Sequence, residues 1–359
     1  MIFLKKIISA LLVTAMMLSM ACVSVSAVDI ETLTTGEKAL LIMQRADVNG
    51  DAKYSTDDVS IILKAAAGII EIENEEYYDL DLDGYVSVKD AQLMLEVVTG
   101  VGKLVTDEEA LESFNEILNG VKTKKPGFQK TSTLICPTIK ITASGYPALM
   151  SGANATNMEY RDYIDKLANL KVLGTAVFSP EDAAELKKSA EDVYKPQVDS
   201  KTVAASSNSH YTYFPVNNLG WSSKLTISDI KSITYTVSGG YIVYTVKMGD
   251  YTYGKGQYPT GSAGFKERQN LPYGKIFNIP ALDEDQSTDT ESVVANSVQL
   301  KNGTIVLKAD LATGSVVSVD YSYSYVTDVT ITNKVESNTI TTRTVTNTNV
   351  SESFIMNVG

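Results

Sequence analysis

The chain has few of the residues on which common catalytic and metal sites depend. Its 359 residues include one histidine, one tryptophan and two cysteines. Zinc sites draw on several His, Cys or carboxylate ligands held together, and this composition does not supply such a cluster. His210 lies in a Ser-rich stretch without the Gly-x-Ser-x-Gly pattern of a nucleophile elbow. We therefore expect a surface loop histidine and no serine-hydrolase triad.

Basic clusters and phosphate-binding loops are also missing. The net charge is -12, and no basic stripe interrupts it. An acidic protein without a basic stripe is poorly suited to bind a nucleic-acid backbone, so a nucleic-acid partner is not expected. Gly254 and Gly256 stand in a strand-like stretch with no helix after them, which does not fit a phosphate loop.

Residues 1–27 have the pattern of a secretory signal peptide. Lys5 and Lys6 precede an apolar core, and small residues end the segment at Ala27. The core is too short for a membrane span, so none is expected in the mature chain. Cys22 raises a lipoprotein signal as the alternative, although the residues before it fit poorly. Once residues 1–27 are removed, Cys136 would be the only cysteine of the mature chain, so no internal disulfide can form. We expect a secreted, extracellular protein.

Two copies of one acidic pattern lie between residues 47 and 100. Oxygen-bearing side chains recur at positions 1, 3, 5, 9 and 12 of each, and an apolar helical run follows. Calcium takes six to eight oxygen ligands, which this spacing can supply. The predicted ligands are Asp47, Asn49, Asp51 and Asp58 with the Lys53 carbonyl, and Asp79, Asp81, Asp83 and Asp90 with the Tyr85 carbonyl. The sequence therefore predicts two calcium ions.

The second loop is predicted to bind the tighter ion. Position 6, which needs a sharp turn, is Gly84 there but Ala52 in the first loop. Position 3 is a carboxylate in the second loop, Asp81, and an amide in the first, Asn49.

The loop pair resembles a type I dockerin, a calcium-folded module that docks secreted enzymes onto cohesin domains of a scaffolding protein. The resemblance covers residues 35–103 and rests on the two loops and their loop-then-helix order. It implies a place in a polysaccharide-degrading, cellulosome-like assembly. It also implies cohesin contacts at positions 10 and 11 of each loop, which are Thr56, Asp57, Val88 and Lys89. These differ between copies, which argues against two equivalent docking orientations.

An ordinary pair of EF-hands is the alternative. An EF-hand needs a helix entering each loop, yet only residues 69–78 separate Gly68 from the second loop. Position 12 is Asp in both loops, where an EF-hand usually has Glu. Both features favour the dockerin.

Residues 106–359 are predicted to form an α+β domain with a large antiparallel sheet, so the fold class is a small all-α module followed by that domain. Helices are expected after Thr106, near residues 159–171 and after Ser179, followed by strands. Hairpins are expected at residues 238–240 and 302–303 and near 337–338, and an edge strand at residues 128–142.

No motif assigns an activity to this second domain. A non-catalytic binding or structural role is favoured, with polysaccharide as a candidate partner. A glycoside hydrolase is one alternative, since it needs only two carboxylates, here drawn from Asp229, Glu267 and residues 283–285. A carrier that encloses an apolar ligand in the curved sheet is the other.

Overall fold

The computed structural model describes residues 30–214, 223–261, 264–282, 288, 290–335 and 337–356. The predicted signal peptide, the acids at 283–285 and the only tryptophan lie outside them. Two compact units are present, divided after Thr34. Of the first, the described part holds a 3-10 turn, Ile30–Thr32. Across the described residues, no helix combines the length and apolar character needed to cross a membrane.

The second unit begins with four helices. They are α1 (Thr35–Arg45), α2 (Thr56–Ala66), α3 (Val88–Val98) and α4 (Asp107–Lys124). The helix expected after Thr106 is α4, and a capping box opens it, where the Glu109 backbone N–H donates to the Thr106 hydroxyl at 3.2 Å. The helix ends at Lys124, and Lys125 adopts the left-handed conformation, with φ 46°.

The rest of the unit is a large antiparallel sheet with short helices, as the predicted α+β class requires. Its strands are β1 (Phe128–Ser144), β2 (Ala155–Glu159), β5 (Gln197–Val203), β6 (Ile230–Ser238), β7 (Tyr241–Met248), β8 (Tyr251–Gly254), β9 (Glu291–Asp310), β10 (Val316–Val335) and β11 (Asn338–Met356). The strand order is β2-β1-β11-β10-β9-β7-β6, while β5 pairs with β1 and β8 with β9. A separate small ribbon pairs β3 (Lys171–Val172) with β4 (Thr175–Ala176).

Further helices lie between these strands: α5 (Tyr160–Ala168), α6 (Pro180–Asp192), α7 (His210–Tyr213) and α8 (Phe265–Arg268). Ser179 caps α6 as predicted, accepting the Asp182 backbone N–H at 3.1 Å. A second small core joins α5 and α6 to the end of β1, around Ile141, Tyr163 and Ala190.

Two of the three predicted hairpins are confirmed. One joins β6 to β7, where Ser238 pairs with Tyr241, and the other joins β10 to β11. The third, at Asn302 and Gly303, was wrong, because β9 runs straight through these residues. They form a bulge, at which the β9–β10 register shifts between Ser322 and Ser324.

The edge position of β1 was also wrong, because the strand is paired on both sides. Its two flanks are β11 and, in succession, β5 and β2. Pro137 lies at the bulge between Ile135 and Thr138. In β1 it follows the residues that pair with β5 and precedes the residues that pair with β2. A proline lacks the backbone N–H, and it is tolerated inside the sheet because no ladder bond is required there.

One hydrophobic core runs from the loop helices into the sheet. It includes Met43 of α1, Ile62 of α2, Met94 of α3, Phe114 of α4 and Leu307 of β9, all fully buried. The boundary that we place before residue 106 therefore runs through a continuous core. Separate folding of the two parts stays a prediction.

Candidate metal centres

The first acidic loop is organised by hydrogen bonds from its own backbone. The Asp47 carboxylate accepts the N–H of Asp51 at 3.1 Å and that of Ala52 at 2.8 Å. The side-chain oxygen of Asn49 also accepts from the Asp51 N–H, at 2.8 Å. These bonds turn the side chains at positions 1 and 3 inward over the loop.

The second loop repeats this pattern at the same positions. The Asp79 carboxylate accepts the N–H of Asp83 at 3.1 Å and that of Gly84 at 2.9 Å. Asp81 accepts from the Asp83 N–H at 3.2 Å. The two loops, 32 positions apart in the sequence, thus share one local geometry.

Position 12 connects each loop to the helix that follows it. Asp58 and Asp90 are fully buried, and each forms a capping box with the serine at position 9. The N–H of Ser55 donates to Asp58 at 2.8 Å, and the N–H of Ser87 donates to Asp90 at 2.8 Å. An aspartate suits this position because its short side chain serves both the loop and the helix N-terminus.

Three carboxylates of the second loop converge. The carboxylate oxygens of Asp79, Asp81 and Asp83 offer ligand atoms within 4.8 Å of one another. Burial raises the pKa of Asp79, and the charges of Asp90 and Asp81 raise it further, against hydrogen bonds that lower it. Such crowding of like charges is what a bound cation relieves, and an all-oxygen donor set suits a hard ion. The residues present therefore fit a divalent cation.

In the first loop, the residues have the same placement but carry less charge. Burial likewise raises the pKa of Asp47, with contributions from the nearby Asp58 and Asp51. Asn49 replaces the central carboxylate of the second loop and offers a neutral oxygen instead.

The glycine argument for unequal loops does not hold. Position 6 is left-handed in both loops, with φ 67° at Ala52 and 90° at Gly84. Position 4 is also left-handed in both, with φ 69° at Gly50 and 58° at Leu82. Each loop therefore has one glycine and one non-glycine residue in the left-handed conformation, which is costly for the non-glycine residue. The glycine is at position 4 in the first loop and at position 6 in the second. The charge at position 3 is the remaining difference.

The entry to each loop differs. Helix α1 ends at Arg45, two residues before Asp47, so the first loop has an entering helix. The second loop is entered through a single 3-10 turn, Glu75–Tyr77. A full pair of EF-hands requires two entering helices, so the second half departs from that pattern.

The first loop is joined to the sheet. The Gly239 N–H, at the tip of the β6–β7 hairpin, donates to the Ala52 carbonyl at 2.7 Å, and Lys53 forms an isolated bridge with Ser238. The acceptor is the residue before Lys53, so the Lys53 carbonyl is not the atom used. Tyr54 attaches the same loop to α1, since its hydroxyl donates to the Met43 carbonyl at 2.5 Å.

The four predicted partner-contact residues lie at the first turns of α2 and α3. Thr56, Asp57, Val88 and Lys89 are all exposed, with Val88 65% exposed. Sequence reasoning did not identify two leucines as partner-contact residues. One lies in each helix, seven residues after position 10 of the loop before it. Leu63 and Leu95 are 46% and 44% exposed, although each lies within an apolar helical run. Their equivalent positions in the two copies were the available signal.

His210 corrects our expectation of a surface histidine, since it is completely buried. Nδ1 lies 2.7 Å from the Ser207 carbonyl, and Nε2 contacts the carbonyl of Pro126. The ring also packs edge-on against Phe128, with centroids 5.1 Å apart. Both nitrogens thus face backbone carbonyls, which is a structural role.

Of the candidate hydrolase acids, Asp229 and Glu267 lie in the described residues. Asp229 is 3% exposed and is held by Lys275, whose Nζ lies 2.7 Å from its Oδ2. Its Oδ2 also accepts the Thr226 N–H at 2.8 Å, as a cap. Glu267 is exposed on α8.

Comparison with protein-family models found no family that matches this chain. A search of curated proteins likewise found no match.

Proposed function

We propose that this is a secreted, dockerin-like protein that binds two calcium ions and docks through its loop helices onto a cohesin domain of an extracellular scaffold. The observation that carries the proposal is the equivalence of the two loops, whose carboxylates accept the same backbone N–H groups at the same positions. Two like sites on paired helices are what a calcium-ordered docking module requires.

The ions would be held by the side chains at positions 1, 3, 5 and 12 and by the carbonyl at position 7. When bound, calcium supplies positive charge between crowded carboxylates and ties each loop to its following helix. The protein's own residues place the ligands, because Asp58 and Asp90 are fixed by the capping serines. Ordering of α2 and α3, and hence docking, would then depend on calcium.

The docking surface would combine the first turns of these helices with the leucines farther along. Residues seven apart lie on the same side of a helix, so Leu63 follows Thr56 and Leu95 follows Val88. Exposed apolar side chains at equivalent positions suit a partner interface. Position 11 is Asp57 in one helix and Lys89 in the other, so opposite charges distinguish the two halves. One docking orientation would therefore be preferred.

For the sheet and its helices, we propose a non-catalytic binding or structural role. A glycosidase needs two carboxyl groups about 5 to 9.5 Å apart on either side of the scissile bond. A cleft of about 390 Å³ against β10 and β11 has one carboxylate in its lining, Glu352. Polar atoms line the same cleft, which disfavours a carrier of apolar ligands.

The test uses the full mature chain and a panel of type I cohesin modules, with calorimetry in calcium and in excess chelator. We expect binding in calcium that is lost on chelation and weakened by Leu63→Asp or Leu95→Asp. Leu173→Asp serves as a matched control, since Leu173 is an exposed leucine away from these helices. Binding that survives chelation, or folded protein that binds no cohesin in saturating calcium, would contradict the proposal.

A further inference from the structure

Strand β5 is an outer edge of the sheet that no described strand covers. Its residues pair with β1 in continuous register, without a bulge, and β1 is its one strand partner among the described residues. All of its residues except Val203 are exposed, on both faces of the sheet, and Val198 is 63% exposed. A straight, exposed edge presents unpaired backbone N–H and C=O groups on which another strand can pair.

The opposite edge of the sheet is partly closed by the chain itself. Ser238 of β6 bridges to Lys53 of the first loop, and the Tyr235 hydroxyl accepts the N–H of Leu104. Proteins commonly block an uncovered edge with a bulge, a proline or a repelling charge. β5 has neither a bulge nor a proline, so its charges decide whether a second strand is admitted or repelled.

The charges of β5 form a self-complementary pattern. Asp199 and Lys201 flank Ser200 and lie on one face of the strand, because side chains two residues apart share a face. When two copies of β5 pair antiparallel about a two-fold axis at Ser200, Asp199 of each copy lies directly opposite Lys201 of the other. Opposite charges in such cross-strand pairs stabilise a sheet, whereas like charges destabilise it.

The neighbouring registers lose this match. In an antiparallel pair, residues directly opposite each other direct their backbone hydrogen bonds alike, so a symmetric pair of identical strands can shift only in steps of two residues. One step in one direction puts Asp199 opposite its own copy, and one step in the other direction does so for Lys201. Both steps create like-charge pairs, so the register about Ser200 is selected.

A second strand would also relieve a like-charge contact within the chain. Lys201 stands directly opposite Lys130 of β1, whose Nζ lies 2.8 Å from the Glu352 carboxylate. The Lys201 ammonium lies over the ring of Tyr213, 5.3 Å from its centroid, and no carboxylate of the described residues forms an ion pair with it. Asp199 of a second copy would supply the negative charge that Lys201 lacks.

We propose that two copies of this chain associate through β5, paired antiparallel about a two-fold axis at Ser200, so that their sheets become one continuous sheet. Seven residues from each copy make a small interface, so we expect a reversible dimer with a Kd on the order of 10 μM. The proposal goes beyond calcium binding and docking and does not depend on either.

The experiment is sedimentation equilibrium of the full mature chain, from about 1 to about 300 μM protein. Asp199→Lys and Lys201→Asp each place like charges opposite one another on both sides of the axis, so each should weaken the dimer at least about tenfold. An equimolar mixture of these two variants should associate again, as a heterodimer with opposite charges in both pairs. Lys231→Asp makes the same charge change on an exposed residue of β6 and should leave dimerisation unchanged.

A chain that carries both substitutions regains complementary charges and should dimerise like the parent. Both positions are exposed, and urea unfolding checks that each variant is as stable as the parent. A parent chain that stays monomeric at the highest concentration would overturn the proposal. So would a dimer that neither single variant weakens, or a mixture that associates no better than its components. Failure of cohesin binding bears on docking alone, because the dimer is measured without that partner.

Discussion

The two loops share their backbone geometry but differ in charge at position 3, so a charge exchange should reverse their calcium affinities. The exchange replaces Asn49 with Asp and Asp81 with Asn. Both side chains are exposed, and both accept the N–H of the residue two positions on. The substitutions therefore move one carboxylate from the second loop to the first while keeping each oxygen in its place.

The magnitude follows from Coulomb's law at a solvated site. A divalent ion and a carboxylate oxygen about 2.4 Å apart attract by roughly 3.5 kcal/mol in water. Removing water from the carboxylate offsets part of this, and the amide oxygen of Asn49 already contributes some attraction. We expect a remainder of about 1.4 to 2.8 kcal/mol, or a ten- to hundredfold ratio of Kd values.

Calorimetry with calcium on the mature chain measures this ratio. In the parent chain, Asp83→Ala should abolish the tighter phase and Asp51→Ala the weaker one. In the Asn49→Asp, Asp81→Asn chain, these assignments should be exchanged. If Asp83→Ala still removes the tighter phase after the exchange, the charge at position 3 does not set the order, and the reasoning is refuted.

Two further predictions concern the sheet. Asp51→Ala should speed hydrogen exchange of the Gly239 amide by about tenfold in calcium, because that N–H donates to the Ala52 carbonyl of the first loop. Exchange is measured by NMR, and Asp83→Ala in the second loop should leave the rate nearly unchanged. The hydrogen bond from Arg343 lowers the pKa of Asp328, so this carboxylate should stabilise the fold above about pH 4 and lose that effect as the pH falls through its lowered pKa. Urea unfolding should show Asp328→Asn about 1 to 3 kcal/mol less stable than the parent at pH 7. This difference should shrink as the pH is lowered below about 4, while Asp320→Asn should match the parent throughout.

The loops could be predicted because their information is local. Positions 1 to 12 carry the candidate ligands, the turn residues and the helix caps within one short segment, so Asp79 and Asp90 are recognisable without the rest of the chain. The hairpin prediction at Asn302 was wrong because the Asn-Gly dipeptide also fits a bulge. Pairing of β9 with β10, which is not visible in the local sequence, favours the bulge. His210 is buried by carbonyls of Pro126 and Ser207, and the first of these is remote in sequence. The cleft against β10 and β11 is also formed by segments that are distant in the sequence, so no sequence pattern predicts it.

The connection between the loop helices and the sheet determines whether the two parts could move against each other in a docked protein. A flexible linker would leave its backbone N–H groups in water. Here Leu104 and Val105 are buried, and the Leu104 N–H donates to the Tyr235 hydroxyl on β6 at 3.0 Å. The Ala52–Gly239 bond adds a second attachment, remote from the first in the sequence. Two attachments and a continuous core prevent free rotation of one part against the other. A partner bound at α2 and α3 would therefore hold the sheet in one fixed orientation relative to itself.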